Sequence, residues 1–103
     1  MEGLVYLISE TSDRPLYKIG VTKGDVNGRV KQLQTGNGER LNCVHTFRTS
    51  KPYKLEKMLH FHFRFNREEG EWFSLDKDDV NNFPMICEKY QGIIDALKDN
   101  PFF

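Results

Sequence analysis

The chain has 103 residues, of which 38% are hydrophobic and 13% aromatic, which is enough apolar surface for one domain with a buried core. No apolar run approaches the about 20 residues of a membrane span, and the N-terminus lacks a signal-peptide pattern, so we expect a soluble intracellular protein without a membrane partner. Cys43 and Cys87 lie far apart without metal-ligand spacing, which favours reduced thiols over a disulfide.

The formal net charge of zero hides an uneven distribution of charged residues. Residues 1–67 contain twelve Lys or Arg against six Asp or Glu, whereas residues 68–103 contain three against nine. A basic region of this size fits a polyanion such as DNA, because cations that neutralise phosphates release counterions. Ordinary solvated surface is the alternative, unless the positive charges share one face.

Two short segments near the start of the chain are rich in β-branched and aromatic residues: Leu4–Ile8 and Leu16–Val21. The turn-forming residues between them predict a β-hairpin. Because side chains alternate along a strand, a register with Tyr6 opposite Lys18 would place Tyr6, Lys18 and Gly20 on one face and Tyr17 on the opposite, apolar face. A face with a phenol, an ammonium group and a glycine is a candidate site for close approach of a phosphate backbone.

A helix and a third strand are predicted next. Asp25 is a good N-cap for a helix with one apolar stripe that ends at Gly36, and the stripe contains Val26, Val30 and Leu33. Arg29 lies beside this stripe and is an ordinary surface charge unless the mixed face of the hairpin is next to it. From Leu41 to Arg48 apolar and polar residues alternate, so this segment is predicted to be a strand with His45 in the core or at an edge.

Pro52 suits the first turn of a second helix. Its predicted buried stripe contains Leu55, Met58, Leu59, His62 and Phe63. Phe61 and Phe65 flank this stripe, so we expect the helix to be covered on more than one side. Glu56 and His60, four residues apart, share another face, where an ordinary solvated contact is the simplest interpretation.

The last part of the chain is predicted to be mostly helical. Residues Arg67–Gly70 are interpreted as a turn and Glu71–Leu75 as a short extended segment, with Trp72 as a core or cover residue. Asp76 can cap the following helix, and Pro84 is expected to break or kink it. An amphipathic helix over Met85–Lys98 remains, with an apolar stripe of Ile86, Tyr90, Ile93, Ile94 and Leu97. This stripe either covers the core of the same chain, which we favour, or pairs with a second copy.

Five short motifs occur in the order and spacing of the GIY-YIG nuclease superfamily: Val5-Tyr6, Tyr17-Lys18-Ile19-Gly20, Arg29 with Leu33-Gln34-Thr35-Gly36, Leu55-Glu56 with Leu59-His60, and Gly70-Glu71-Trp72-Phe73. The chain most resembles the subgroup described from a bacteriophage DNA-binding domain. The resemblance covers about residues 3–75 of a single domain, 1–103, with a helical extension over 76–103. It implies an α/β (α+β) fold with a small three-stranded antiparallel sheet flanked by helices and a C-terminal helical tail.

The resemblance also implies a metal-dependent endonuclease that hydrolyses DNA phosphodiester bonds. Tyr6 matches the tyrosine that would act as general base, Arg29 matches the arginine of the first helix, and Glu56 matches the metal ligand. Mg²⁺, or Mn²⁺, is the implied cofactor, since a carboxylate is a hard oxygen ligand. A phenol has a pKa of about 10, so a nearby cation must favour the phenolate, and Lys18 is placed to do so. His60 would orient the metal ligand or protonate the leaving group.

The chain departs from the superfamily pattern at the two tyrosine motifs. Gly3 stands one residue earlier than the glycine of the first motif. Lys18 occupies the position of the second tyrosine, with Tyr17 displaced by one. A DNA-binding module that keeps the nuclease fold without cleavage is therefore the alternative function. The sequence leaves the oligomeric state open, with a monomer favoured.

Overall fold

Residues 2–102, which the computed structural model describes, fold into one antiparallel β-sheet and three α-helices. The strands are β1 Gly3–Glu10, β2 Tyr17–Thr22, β3 Leu41–Thr49, β4 Arg67–Glu69 and β5 Trp72–Phe73, and the helices are α1 Val26–Thr35, α2 Pro52–His62 and α3 Lys77–Leu97. A short 3-10 helix, Arg64–Asn66, follows α2. The strand order in the sheet is β3-β1-β2-β5-β4.

The expected three-stranded sheet is wrong, because the sheet has five strands. The segment interpreted as a turn and an extended stretch is a hairpin of β4 and β5 that pairs along β2, with Tyr17 opposite Phe73 and Lys18 opposite Trp72. Gly70 makes the connection with a φ of 56°, a conformation that glycine adopts without a Cβ clash. Strands of three and two residues are too short to show an alternation of apolar and polar residues.

The register of β1 and β2 differs from the predicted register by two residues. Tyr6 pairs with Gly20, and Ile8 pairs with Lys18. A shift by two keeps every side chain on its predicted face, since the side-chain period of a strand is two. On the other side of β1, the pairing with β3 shifts where His45 and Cys43 face consecutive residues of β1, so Val44 is the extra residue of a β-bulge.

Apolar clusters cover both faces of the sheet. The larger cluster lies between the sheet, α2 and α3, and its buried residues include Val5, Leu7, Ile19, Leu55, Leu59, Phe63, Phe73, Phe83, Cys87 and Ile94. Tyr17 packs against this cluster from β2. The smaller cluster contains Tyr6, Ile8 and Leu41, and α1 covers it with Val26, Val30 and Leu33. The Asp25 side chain accepts a hydrogen bond from the Asn27 N–H and so caps α1.

Pro84 was expected to break or kink the helix, and the break is wrong, because α3 runs through this residue. Proline has no N–H, so the Val80 carbonyl one turn earlier lacks its helical partner. His45 of β3 supplies the missing donor, with Nε2 at 3.0 Å from the Val80 oxygen, and its ring stacks on Phe83. The helix therefore begins at Lys77 and packs Phe83, Cys87 and Ile94 into the core. The C-terminal region thus covers the core of its own chain.

The expected cover over Phe61 and Phe65 is absent from the described structure, since these side chains are 64% and 87% exposed. Both cysteines are free, with Cys43 exposed and Cys87 buried. Within residues 2–102, no helix has the length and the apolar composition that crossing a membrane requires.

Candidate active site

Tyr6 forms the floor of the candidate site, and Gly20 makes room for it. The two residues face each other across β1 and β2, and a Cβ added at Gly20 would lie 2.6 Å from Tyr6 Cζ and closer still to its hydroxyl oxygen. The missing side chain was interpreted as a surface open to substrate, but the phenol fills that space. Gly20 therefore serves to seat the Tyr6 ring, which is fully buried.

Arg29 is the cation beside the Tyr6 phenol. Its Nε donates a hydrogen bond of 3.3 Å to the phenol oxygen, and Nη1 donates to Gln32 at 3.2 Å. Burial raises the pKa of Tyr6, the Arg29 hydrogen bond and charge act in the opposite direction, and the carboxylates of Glu71 and Glu56 add to the rise. The resting phenol is therefore protonated near neutral pH.

Lys18 does not take the predicted position beside the phenol. It lies on the same face of the sheet as Tyr6, but its Nζ forms a 3.0 Å ion pair with Glu71 and lies 5.4 Å from the centre of the Trp72 ring. Lys18 is nearly buried, and a buried ammonium group needs a charged partner, which Glu71 supplies. The expected stabilisation of the phenolate by Lys18 is thus replaced by the contact from Arg29.

Glu56 and His60 of α2 meet Glu71 in a cluster of three possible metal ligands. One ligand atom from each residue lies within 4.8 Å of the other two. Burial, the charge of Glu71 and a hydrogen bond with Glu71 raise the pKa of Glu56 from 4.5 to about 7, although Lys18 opposes the rise. The Glu71 charge, together with burial, therefore favours the protonated form of Glu56 in the folded chain.

The hydrogen bonds of His60 determine which ring nitrogen carries the proton and which one could bind a cation. Nε2 lies 2.8 Å from the Ile19 carbonyl oxygen, which can only accept, so Nε2 carries the proton. Nδ1 then accepts a hydrogen bond from Arg67 Nη2 at 3.2 Å, so a cation bound at Nδ1 would take the place of the Arg67 N–H. A histidine whose second nitrogen donates to a backbone carbonyl is the usual arrangement in protein metal sites. Glu56, His60 and Glu71 together fit a divalent cation that prefers oxygen ligands.

The short hairpin of β4 and β5 creates this arrangement. β5 pairs with β2 at Tyr17 and Lys18. His60 of α2 hydrogen-bonds to the carbonyl of Ile19, the next residue of β2. The hairpin also carries Glu71 and Arg67, two site residues that were not predicted. The only available signal for Glu71 was its place beside the Trp-Phe pair of the last motif, because its role depends on how the hairpin folds.

A groove of about 260 Å³ borders Arg29 on the solvent side. Its wall includes Thr22 at the end of β2, Gly24 from the connection to α1, and Gln32 from α1. Arg29 is half-buried, with its inner nitrogen on the phenol and its outer part toward this groove. A guanidinium group in this position can bind an anion that lies in the groove, since its planar fork offers five N–H donors.

The chain matches a known protein family. The T5orf172 domain family matches residues 3–87, which is most of the chain. The protein is a member of the T5orf172 domain family. This family is phage-associated and nuclease-related. The match to the T5orf172 domain extends into α3, beyond Leu75, where the motif resemblance ends. No curated protein and no solved structure matches the chain significantly.

Proposed function

We propose that this T5orf172 domain is a metal-dependent endonuclease of the GIY-YIG type that hydrolyses DNA phosphodiester bonds. The main support is the cluster of Glu56, His60 and Glu71 beside the pair of Tyr6 and Arg29. A module that only binds DNA needs cations for the phosphates, but it has no use for two carboxyl groups and an imidazole at one place. The nuclease-related family and the GIY-YIG-like motif order support the same function.

Glu56, Glu71 and Nδ1 of His60 are the atoms that would hold the cation. Two carboxylates suit Mg²⁺ or Mn²⁺, and the imidazole favours Mn²⁺ of the two because nitrogen is the softer ligand. When bound, such a cation would neutralise negative charge on the phosphate and on the carboxylates that now raise the pKa of Tyr6. The single N–H of His60 is engaged by Ile19, so ligation fits this residue better than protonation of the leaving group.

In the proposed hydrolysis, a water oxygen forms a bond to phosphorus while the bond to the leaving oxygen breaks. Arg29 would hold non-bridging phosphate oxygens from the groove and keep its Nε on the phenol. Tyr6 would first release its phenol proton to solvent, and the phenolate would then accept the proton of the attacking water, while the leaving oxygen would take a proton from solvent. Because Tyr6 is fully buried in the free protein, this step requires its oxygen to become accessible when DNA is bound. Lys18 would keep Glu71 in position through its ion pair.

A plasmid-nicking assay tests this function, with Mg²⁺ or Mn²⁺ in one set of reactions and EDTA in the other. The wild-type protein should nick only with the cation. Glu56→Ala should abolish nicking, while DNA binding measured by fluorescence anisotropy persists or tightens, because a carboxylate facing phosphate is removed. Full nicking by Glu56→Ala, with contaminating nuclease excluded, would refute the metal assignment. DNA binding without any nicking by the wild type would leave the non-cleaving DNA-binding module.

A second comparison tests which of Lys18 and Tyr17 belongs to the site. Lys18→Ala should lower turnover, because it removes the ion pair that keeps the proposed metal ligand Glu71 in position. Tyr17→Phe is the matched control, because Tyr17 packs against the core on the opposite face and should leave turnover nearly unchanged. Loss of activity in Tyr17→Phe, with full activity in Lys18→Ala, would contradict the assignment of faces.

A further inference from the structure

The exposed face of α2 and of the turn after it has an unusual composition. Between Lys51 and Phe65, every exposed residue is either basic or aromatic: Lys51, Tyr53, Lys57, Phe61, Arg64 and Phe65. We name these six residues the α2 outer face. Exposed aromatic rings on a monomer surface point to a binding partner when they are clustered, and here three of them alternate with three cations.

Contacts within the α2 outer face hold two of the rings in place. The guanidinium carbon of Arg64 lies 4.0 Å from the centre of the Phe61 ring and 4.5 Å from that of Phe65. Arg64 Nη1 also donates a 2.8 Å hydrogen bond to the Phe61 carbonyl oxygen. The exposure of Phe61 and Phe65 leaves large parts of both rings open to a ligand. The arrangement is a prepared aromatic surface with a positive charge next to each ring.

An apolar groove continues the α2 outer face toward α3. It has a volume of about 300 Å³ and lies beside Phe61, with Met58 and Tyr90 among its lining residues. Lys57 stands at the same groove, so an apolar surface and a cation are adjacent again. A flat ligand with a π-face and an attached anion matches this combination, and a nucleotide has both.

The candidate active site and the α2 outer face are neighbours on one helix. Glu56 precedes Lys57 directly, and His60 precedes Phe61 directly. Because successive helical residues are about 100° apart, a chain of phosphates that passes Glu56 and His60 meets the α2 outer face next. A DNA strand bound at Glu56 and His60 would therefore continue over Lys57 and Phe61.

We propose that the α2 outer face binds unpaired nucleotides of the DNA substrate that flank the cleaved bond. Bases stack on Phe61 and Phe65, and phosphates contact Lys57 and Arg64. Paired bases inside a duplex cover one another, so exposed phenyl rings reach a base face only where the strand is unpaired. This inference rests on the proposed function, since it takes DNA as the substrate, and it adds the structure of the DNA that is preferred.

Binding measured by fluorescence anisotropy in EDTA tests the inference without cleavage. The two probes are a blunt duplex and the same duplex with a single-stranded thymidine overhang. The double variant Phe61→Ala/Phe65→Ala should lose about 10-fold or more in affinity for the overhang probe, since stacking contributes about 1–3 kcal/mol per base. Its affinity for the blunt duplex should change by less than about twofold. Phe102→Ala is the matched control, because it removes another phenyl ring that is 97% exposed.

The outcomes separate this inference from the proposed function. If the wild type binds neither probe, both fail. If the wild type binds DNA and nicks plasmid but the double variant binds both probes like the wild type, or loses both equally, only the role of the α2 outer face fails. Sedimentation that shows a wild-type dimer, but a monomer for the double variant, would assign the face to a second copy and also overturn the inference. Equal melting temperatures of the two variants and the wild type check that folding is intact.

Discussion

Replacement of Glu56 by Gln should make the cation-free protein more stable at alkaline pH. The pKa of Glu56 is raised from 4.5 to about 7 in the folded chain, mainly by burial and next by the charge of Glu71. Below pH 4.5 the group is protonated in both the folded and the unfolded chain, so it costs nothing. Between 4.5 and about 7 the unfolded chain releases the proton while the folded chain retains it, and stability falls as the pH rises.

The change in the free energy of unfolding follows from the raised pKa of Glu56. Each pKa unit corresponds to about 1.4 kcal/mol, so Glu56 lowers the free energy of unfolding by about 3 kcal/mol once the pH exceeds its folded pKa. Glutamine cannot ionise, yet its amide can still donate to the Glu71 carboxylate. Glu56→Gln should therefore raise the melting temperature by on the order of 10 °C at about pH 8 in EDTA.

The assay is thermal unfolding followed by circular dichroism across this pH range, with EDTA present. Near pH 4.5 the wild type and Glu56→Gln should melt together. Glu69→Gln serves as the matched control, because Glu69 is an exposed carboxylate on β4. Adding Mn²⁺ should stabilise the wild type and leave Glu56→Gln nearly unchanged, since only a folded site binds the cation. A difference between wild type and Glu56→Gln that does not vary with pH would refute the reasoning.

Three further changes have expected outcomes. Gly20→Ala should destabilise the protein by about 1–3 kcal/mol, because the new Cβ displaces the buried phenol. Gly28→Ala in α1 should stabilise it by up to about 1 kcal/mol, because a Cβ there meets nothing within 4 Å. Urea denaturation of the two variants measures both changes. His45→Ala should lower the free energy of unfolding by about 1–3 kcal/mol in the wild type. The loss should be smaller in a Pro84→Ala background, where the N–H of residue 84 can donate to the Val80 carbonyl instead of the His45 ring. A double-mutant cycle measures this difference. Truncation after Leu75 should give an unfolded or aggregating product by circular dichroism and light scattering, and a folded soluble fragment would contradict the core position of α3.

Sequence patterns predict the parts of this fold in which the pattern is long. β1 and β2 have enough residues for alternation to assign faces, and the assignment of Tyr17 to the packed side agrees with its contacts. The hairpin of β4 and β5 is too short for any such pattern, so two strands of the sheet were missed. Proline usually breaks a helix because a carbonyl one turn earlier loses its hydrogen bond. At Pro84 the His45 ring of β3 supplies the donor for that carbonyl, which the local sequence does not show.

The candidate site divides in the same way. Motif order predicted that Tyr6 and Arg29 belong together, and the structure brings them into contact. Strand alternation and motif position suggested Lys18 as the partner of the phenol, but the sequence does not show which acid a lysine meets. Glu71 is that acid, and its position depends on the hairpin. The side chain of Phe61 was expected to be covered, since helical spacing does not distinguish a ring that packs from one that faces solvent.

The two outer strands of the sheet bear on how the protein behaves at high concentration. A regular edge strand can template pairing with another chain, which leads to aggregation. At one edge, β4 is only three residues long and all three are charged. At the other, the bulge at Val44 interrupts the regular spacing of β3. Each edge therefore opposes strand addition by a different means, and we expect colloidal stability near the isoelectric point, where charge repulsion between molecules is weakest.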